Sequence, residues 1–120
     1  MSRASKNLSR RGAALKDAKI LMLGAAYKAN VSDLRESPAL KLCEMLKNEG
    51  AIVTVWEPLS DDPRFKKNVA ENEIAESDLV IVGAPHECFD FEMIAMKAKA
   101  VLDTKNTFKN VKNRQNIDLL

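Results

Sequence analysis

The chain has 120 residues, 46% of them hydrophobic and 30% charged, which fits one domain with a single buried core. Its formal net charge of +2 conceals a division, because residues 1–19 carry +5 and the remaining residues carry −3. A basic arm can contact nucleic acid, but the body is mildly acidic and offers no aromatic stacking platform, so we expect no nucleic-acid partner. No apolar run approaches the roughly 18 residues of a membrane helix, and the basic start is not followed by the apolar region of a secretory signal. We therefore expect no membrane partner.

The histidine and cysteine content argues against a metal site. Cys43 and Cys88 are the two cysteines and His86 is the single histidine, and no metal-ligand spacing joins them. We therefore predict no bound metal and two free thiols in a reducing cytoplasm. Cys43 lies on the apolar stripe of a predicted helix, which favours core packing. As a general base His86 would need a partner and a substrate position, and the sequence shows neither.

The chain begins with a basic segment, a strand and a long loop. Residues 1–17 are polar and basic, and we expect a linker rather than a core element. The apolar run over 19–23 predicts a buried strand that ends at Gly24. After the loop, Ser37 is a natural N-cap and Pro38 suits the first helical position, where its missing N–H costs nothing. A helix is therefore expected to begin at Pro38.

The rest of the chain continues this alternation. Gly50 is the expected C′ residue of the first helix, and a β-branched strand is predicted over 51–56. The later elements are a short helical or irregular stretch within 69–76, a strand over 78–83, a helix over 91–96, a strand over 100–103 and a polar tail over 107–120. The pattern predicts an α/β fold with an open parallel sheet and helices on both faces. The carboxyl ends of the strands then share one edge, where such sheets bind ligands.

The loop between the first strand and the first helix has the charges to hold an anion. A dinucleotide fingerprint needs three glycines, and this loop has only Gly24, so dinucleotide binding by this domain is disfavoured. Glu57 after the second strand stands where a ribose-binding carboxylate would stand, but Glu57-Pro58 is equally typical of a turn. Side chains, rather than the backbone of a glycine-rich loop, are therefore the better candidates for binding an anionic ligand.

Three side chains are candidate ligand contacts. Tyr27 offers a ring face to a base or sugar, and Lys28 is a mobile point charge suited to a phosphate. Lys105, at the end of the fourth strand, is expected to approach the same crevice from the neighbouring strand. Together these residues predict a site for a nucleotide diphosphate.

The other charged residues of the loop admit two interpretations. Arg35 can bridge Asp33 or Glu36 and hold the loop in shape, or these side chains can contact the ligand directly. A carboxylate beside a helix start is also favoured by the helix dipole. We favour loop scaffolding or subunit contact for these three residues, together with Gly24 and Ser37.

Two neighbouring motifs resemble a known family. Residues 24–28 read GAAYK and residues 33–39 read DLRESPA. They closely resemble the carboxy-terminal domain of the UDP-glucose/GDP-mannose dehydrogenase family. The resemblance extends over residues 18–106 through three further segments, which are 50–58 (GAIVTVWEP), 77–82 (SDLVIV, with His86 beyond it) and 101–106 (VLDTKN).

The resemblance implies a Rossmann-like domain that binds the nucleotide-diphosphate part of a UDP-sugar or a related nucleotide sugar. It maps Tyr27 and Lys28 onto contacts with nucleotide and phosphate. It maps Lys105 onto a position where the family has arginine, and lysine keeps the charge but loses bidentate phosphate geometry.

The resemblance also implies a larger parent enzyme. In the family, an amino-terminal domain binds NAD, and a middle region supplies the catalytic cysteine that helps to oxidise the sugar C6 alcohol to a carboxylate. Neither Cys43 nor Cys88 has that context, so we expect no catalytic residue and no cofactor in this chain, and no turnover by it alone. Residues 1–17 would then end the linker from the missing domains, and the parent would be a dimer or higher oligomer. A free-standing nucleotide-binding module and a subunit-interaction domain remain as alternatives.

Overall fold

The computed structural model describes residues 16–25, 37–84, 86–103 and 117–119 of the chain. Its elements in chain order are β1 (Lys19–Leu23), α1 (Pro38–Asn48), β2 (Ile52–Trp56), α2 (Glu71–Glu76), β3 (Leu79–Val82), α3 (Phe91–Lys97), β4 (Val101–Asp103) and β5 (Ile117–Leu119). The predicted alternation of strands and helices is confirmed for the first seven. Among the described residues, no helix has the length and apolar character needed to cross a bilayer.

The five strands form one parallel sheet in the order β2-β1-β3-β4-β5. Leu21 in β1 pairs with Thr54 of β2 on one side and with Val80 of β3 on the other. The chain therefore moves outward from β1 to β2 and then returns to β3 on the opposite side of β1. This reversal is a topological switch point, where neighbouring loops diverge and leave a crevice at the carboxyl edge of the sheet.

Both faces of the sheet are covered, which confirms the Rossmann-like α/β class. Alternate residues of β1 point to opposite faces. Ile20 and Met22 pack in one cluster with Cys43 and Leu46 of α1. Leu21 and Leu23 pack in a second cluster with residues of the other two helices, Ile74 and Ile94. Strands that are buried on both faces need continuous apolar runs, which is why β1 and β3 stand out in the sequence.

The first helix has the predicted boundaries at both ends. Ser37 is its N-cap, with the hydroxyl oxygen accepting a hydrogen bond from the Leu40 amide at 3.2 Å. Pro38 occupies the first turn, and Gly50 follows the helix with φ +94°. This is the left-handed region in which glycine avoids the strain of a side chain.

Two features differ from expectation or extend it. Residues 117–119 form β5 beside β4, although the sequence analysis assigned no element to the tail. Three residues reading Ile-Asp-Leu are too few to reveal a strand period, and an edge strand needs little apolar sequence. Cys43 is buried in the core as predicted, whereas Cys88 is exposed, and both thiols are free.

Candidate functional site

The carboxyl ends of β1 and β3 meet in close backbone contact at the switch point. The amides of Gly83 and Ala84 both donate to the Leu23 carbonyl, at 2.8 and 2.9 Å. A Cβ added to Gly24 would lie 2.7 Å from the Ala84 Cβ, and one added to Gly83 would collide with the Gly24 carbonyl oxygen. Gly24 also has φ +81°. The chain therefore leaves β1 through a turn that has no room for a side chain.

A buried acid, Glu57, joins three segments at this edge. It follows β2 and is 0% exposed. One carboxylate oxygen, Oε1, accepts from the Ala25 amide at 2.9 Å and lies 2.8 Å from Nε2 of His86. The other, Oε2, accepts from the Leu59 amide at 3.0 Å. The hydrogen bond from the Leu59 amide shows that Glu57 takes part in the turn after β2. Its place in the sequence allowed this role and that of a ribose-binding carboxylate.

The carboxylate of Glu57 is held in its charged form. Burial by itself would raise its pKa, but the hydrogen bond with His86 and those from the Ala25 and Leu59 amides outweigh burial and lower the pKa below its ordinary value. An ionised carboxylate can only accept hydrogen bonds, so Nε2 of His86 carries the proton between the two groups. The buried negative charge is therefore compensated by donors from three separate segments.

His86 reaches Glu57 across the end of β1. It follows β3, whereas Glu57 follows β2, and β1 lies between these strands. The His86 amide donates to the Ala84 carbonyl at 2.9 Å, and the imidazole ring lies 5.7 Å from the ring of Phe89. Phe89 in turn packs edge-on against Trp56 at 4.8 Å. The partner that the sequence did not reveal for His86 is thus a residue 29 positions away.

Ala25 and Ser37 tie together the two ends of the loop that carries the candidate ligand contacts. The Ser37 hydroxyl donates to the Ala25 carbonyl oxygen while it caps α1. Ala25 is fully buried, and its amide is held by Glu57. Ala25 and Ser37, the residues that flank 26–36 in sequence, are therefore held together beside the switch point.

The structure describes only part of the predicted set of site residues. Gly24 and Ser37 lie at the carboxyl edge, as described above. The remaining candidates lie outside the described residues, and they are Tyr27, Lys28, Asp33, Arg35, Glu36 and Lys105. One expectation needs correction, because β3 separates β1 from β4. The strand that Lys105 follows in sequence, β4, is therefore two strands from β1 rather than its neighbour.

The Glu57–His86 pair is the part of this edge that sequence reasoning missed. Each residue follows a predicted strand directly or within a few positions, so the pattern already placed both at the carboxyl edge. The pattern did not give the strand order, in which β2 and β3 lie on the two sides of β1, so that their carboxyl ends are close to each other. A search for a buried acid and a histidine at strand ends on the two sides of a switch point would have found the pair.

A separate cavity of about 590 Å³ lies at the outer edge of β2. It is bounded by α1, β2 and residues 63–66, and its lining includes Leu40, Val55 and Phe65. Neither Glu57 nor His86 lines it, so it is distinct from the carboxyl-edge residues described above. Within the described ranges, no three His, Cys, Asp or Glu side chains are grouped in a way that could hold a metal ion.

Comparison with known proteins assigns the chain to a family. Residues 21–110 match the sequence model of the UDP-glucose/GDP-mannose dehydrogenase family, UDP binding domain. A UDP-N-acetyl-D-mannosamine dehydrogenase of Methanococcus maripaludis is 35% identical over 100 residues, which are 77% of this chain and 23% of the relative. A UDP-glucose 6-dehydrogenase of Drosophila melanogaster is 31% identical over 61 residues, 51% of this chain and 13% of the relative. The chain thus spans at most about a quarter of the length of these two relatives.

Solved structures show the same fold. The UDP-D-ManNAc dehydrogenase of Pyrococcus horikoshii superposes with a TM-score of 0.76 at 23% identity, covering 95% of this chain and 28% of that one. An NDP-N-acetyl-D-galactosaminuronic acid dehydrogenase of Methanosarcina mazei gives a TM-score of 0.78 at 21% identity, covering 99% and 27%. The family match covers most of the chain, and the fold agrees with it. The chain therefore belongs to the UDP-glucose/GDP-mannose dehydrogenase family and contains that family's UDP-binding domain.

Proposed function

We propose that the domain binds the nucleoside diphosphate of a UDP-sugar at the carboxyl edge of the sheet, through Tyr27, Lys28 and Lys105. The observation that carries the proposal is that Ala25 and Ser37, which flank residues 26–36 in sequence, are hydrogen-bonded to each other beside the switch point, with Ala25 also held by Glu57. Tyr27 and Lys28 follow Ala25 by two and three positions. They therefore begin from a fixed point at the place where open α/β sheets bind ligands.

The reach of the chain supports a site shared by the two lysines. The Cα of Lys28 is at most about 11 Å from that of Ala25, and the Cα of Lys105 is at most about 7 Å from that of Asp103. The ends of β1 and β4 are separated by two strand spacings, about 10 Å. Long lysine side chains extend this reach, so both ammonium groups can meet one diphosphate. The ring of Tyr27 then offers a face to the base or sugar.

The role that we propose for the larger parent enzyme requires domains outside this chain. We infer that the domain serves a cytoplasmic, NAD-dependent nucleotide-sugar 6-dehydrogenase that oxidises the sugar C6 alcohol to a carboxylate, with NAD and the catalytic cysteine supplied by other domains. The names of the similar proteins support this class of enzyme. Asp33, Arg35 and Glu36 serve as loop scaffold or as a contact within a dimer or higher oligomer. The domain alone supplies binding and no turnover.

Titration calorimetry of the chain with UDP and with NAD tests the proposal. We expect UDP to bind more tightly than NAD, and tighter binding of NAD would overturn the assignment. Lys28→Ala should weaken UDP binding by about 1.5–3 kcal/mol, the usual contribution of a hydrogen bond to a charged group. Lys99→Ala is the matched control, because Lys99 precedes β4 at the opposite edge and faces Asp78 at 3.9 Å. An affinity that is unchanged by Lys28→Ala would remove Lys28 from the site.

A further inference from the structure

The backbone of Ala25 is held on both of its polar groups by buried side chains. Its amide donates to Glu57 at 2.9 Å, and its carbonyl accepts from the Ser37 hydroxyl. Ser37 is the N-cap that precedes α1, whereas Glu57 belongs to the turn after β2. The position of Ala25 therefore depends on a side chain from another strand, 32 residues away in sequence.

Burial of the Glu57–His86 pair carries a desolvation cost that limits its net contribution to stability. Both side chains are 0% exposed, and removing two such groups from water carries a desolvation penalty that can exceed their attraction. Well-packed apolar residues of similar volume often give equal or greater stability. What apolar residues cannot supply is an acceptor directed at the Ala25 amide. The geometry therefore points to a role in positioning rather than in stability alone.

We propose that Glu57, oriented by His86, is a positioning residue for the nucleotide site. It fixes the Ala25 end of residues 26–36, so that Tyr27 and Lys28 start from one defined place at the sheet edge. This inference rests on the proposed function, because the ligand contacts are those assigned there. In this scheme Glu57 acts by holding the Ala25 amide, and His86 acts by orienting Glu57.

Two substitutions at His86 separate the positioning role from bulk packing. His86→Phe keeps a ring beside Phe89 but removes the proton donor to Glu57. His86→Gln replaces the ring but keeps a side-chain N–H that can donate to the same carboxylate. Far-ultraviolet circular dichroism and the fluorescence of Trp56, the only tryptophan, report whether each variant is folded. Both variants are studied well below their unfolding temperatures.

Site-resolved amide exchange in the full chain is the first measurement. In His86→Phe we expect the Ala25 amide to exchange at least about tenfold faster, since its acceptor is no longer oriented. The Gly83 amide, which donates to the Leu23 carbonyl, is the internal reference and should keep its rate. His86→Gln should restore the rate of Ala25 to near that of the wild type. Equal acceleration of Ala25 and Gly83 would show global destabilisation and would overturn the inference.

UDP affinity measured by calorimetry is the second measurement. We expect His86→Phe to bind UDP about tenfold more weakly and His86→Gln to bind it within about threefold of the wild type. If wild-type chain binds no UDP, the proposed function fails. If wild-type chain binds UDP and His86→Phe binds it equally well, only the positioning role fails. Should His86→Phe not fold, Glu57→Gln takes its place, since it keeps the shape of the side chain and removes the charge.

Discussion

The carboxylate of Glu57 is buried and is held by contacts on both of its oxygens. Its two oxygens accept from the Ala25 and Leu59 amides and from His86, which compensates for its burial and keeps it ionised. Asp61, which is exposed, and Asp62, which is half-buried at the surface, are in a different situation. The neighbouring Lys67 lowers the pKa of Asp61, and Arg64 lowers that of Asp62, but solvent and salt screen both pairs.

The lowered pKa of Glu57 predicts how its contribution to stability depends on pH. Folding lowers this pKa below the ordinary value of 4.5, so the ionised carboxylate stabilises the folded state fully above pH 4.5. That contribution is lost as the pH falls from 4.5 through the lower pKa of the folded state. The free energy of unfolding should therefore decrease less between pH 4.5 and pH 3 in Glu57→Gln than in the wild type. Urea denaturation at pH 7, 4.5 and 3 measures this difference.

The control for this prediction is Asp62→Asn. Asp62 pairs with Arg64 at the surface, where salt screens the attraction. In about 0.5 M NaCl, Asp62→Asn should therefore no longer change the decrease in unfolding free energy at acid pH, whereas Glu57→Gln should still change it. Wild-type and Glu57→Gln chains that lose stability equally between pH 4.5 and pH 3 would contradict the account of the buried charge.

Residues governed by local rules were predictable from the sequence, and residues governed by tertiary contacts were not. Ser37, Pro38 and Gly50 follow capping rules that need only their immediate neighbours, and the structure confirms all three. The partnership of Glu57 with His86 depends on strand order and burial, which no local pattern encodes. The ligand contacts of Tyr27, Lys28 and Lys105 stay predictions, since these residues lie outside the described ranges.

At the scale of elements, the start of α1 is tied to the end of β1 through the N-cap residue, Ser37. The Ser37 hydroxyl accepts from Leu40 as an N-cap and donates to the buried carbonyl of Ala25. Asp90 provides a comparison at the start of α3, where its side chain accepts from the Met93 amide at 3.1 Å and is exposed. The two caps are alike in type, but the Ser37 hydroxyl also holds the backbone carbonyl of Ala25.

We therefore expect Ser37→Ala to cost more stability than Asp90→Ala. Loss of an N-cap costs about 0.5–2 kcal/mol, and leaving the buried Ala25 carbonyl without its donor adds about 1–3 kcal/mol. Urea denaturation of both variants under the same conditions measures the difference. A free energy of unfolding that falls by the same amount in the two variants would show that the Ser37 hydroxyl acts as a cap and nothing more.

Element prediction succeeded where a pattern was long or strongly apolar. The four residues of β3 are all fully buried apolar side chains, and the first helix has a clear start and end, so both are predictable. The fifth strand was missed because three residues carry no readable period and because its partner, β4, is equally short. Short edge elements are set by the sheet that receives them rather than by their own sequence.

At the scale of the whole molecule, the order of the strands in the sheet determines where the proposed ligand site lies. Parallel strands place all carboxyl ends on one edge, and the reversal between β1 and β3 puts a switch point, where open α/β sheets bind ligands, beside Gly24 and Ala84. The sequence predicted the parallel sheet and this edge from the alternation of strands and helices. It did not reveal that β3 lies between β1 and β4, so that the strand before Lys105 in sequence is two strands from the strand before Lys28.

The central claim is that a nucleoside diphosphate binds at this carboxyl edge, and amide chemical shifts measured during a UDP titration test it most directly. The amides of Gly24, Ala25 and Ala84 report the carboxyl edge, and those of Ile52 and Asp78 report the opposite edge, where they donate to the carbonyls of Ala18 and Lys19. We predict that UDP shifts the first set in a saturable manner and leaves the second set in place. Saturable shifts confined to Ile52 and Asp78, or none at all at millimolar UDP, would contradict the account.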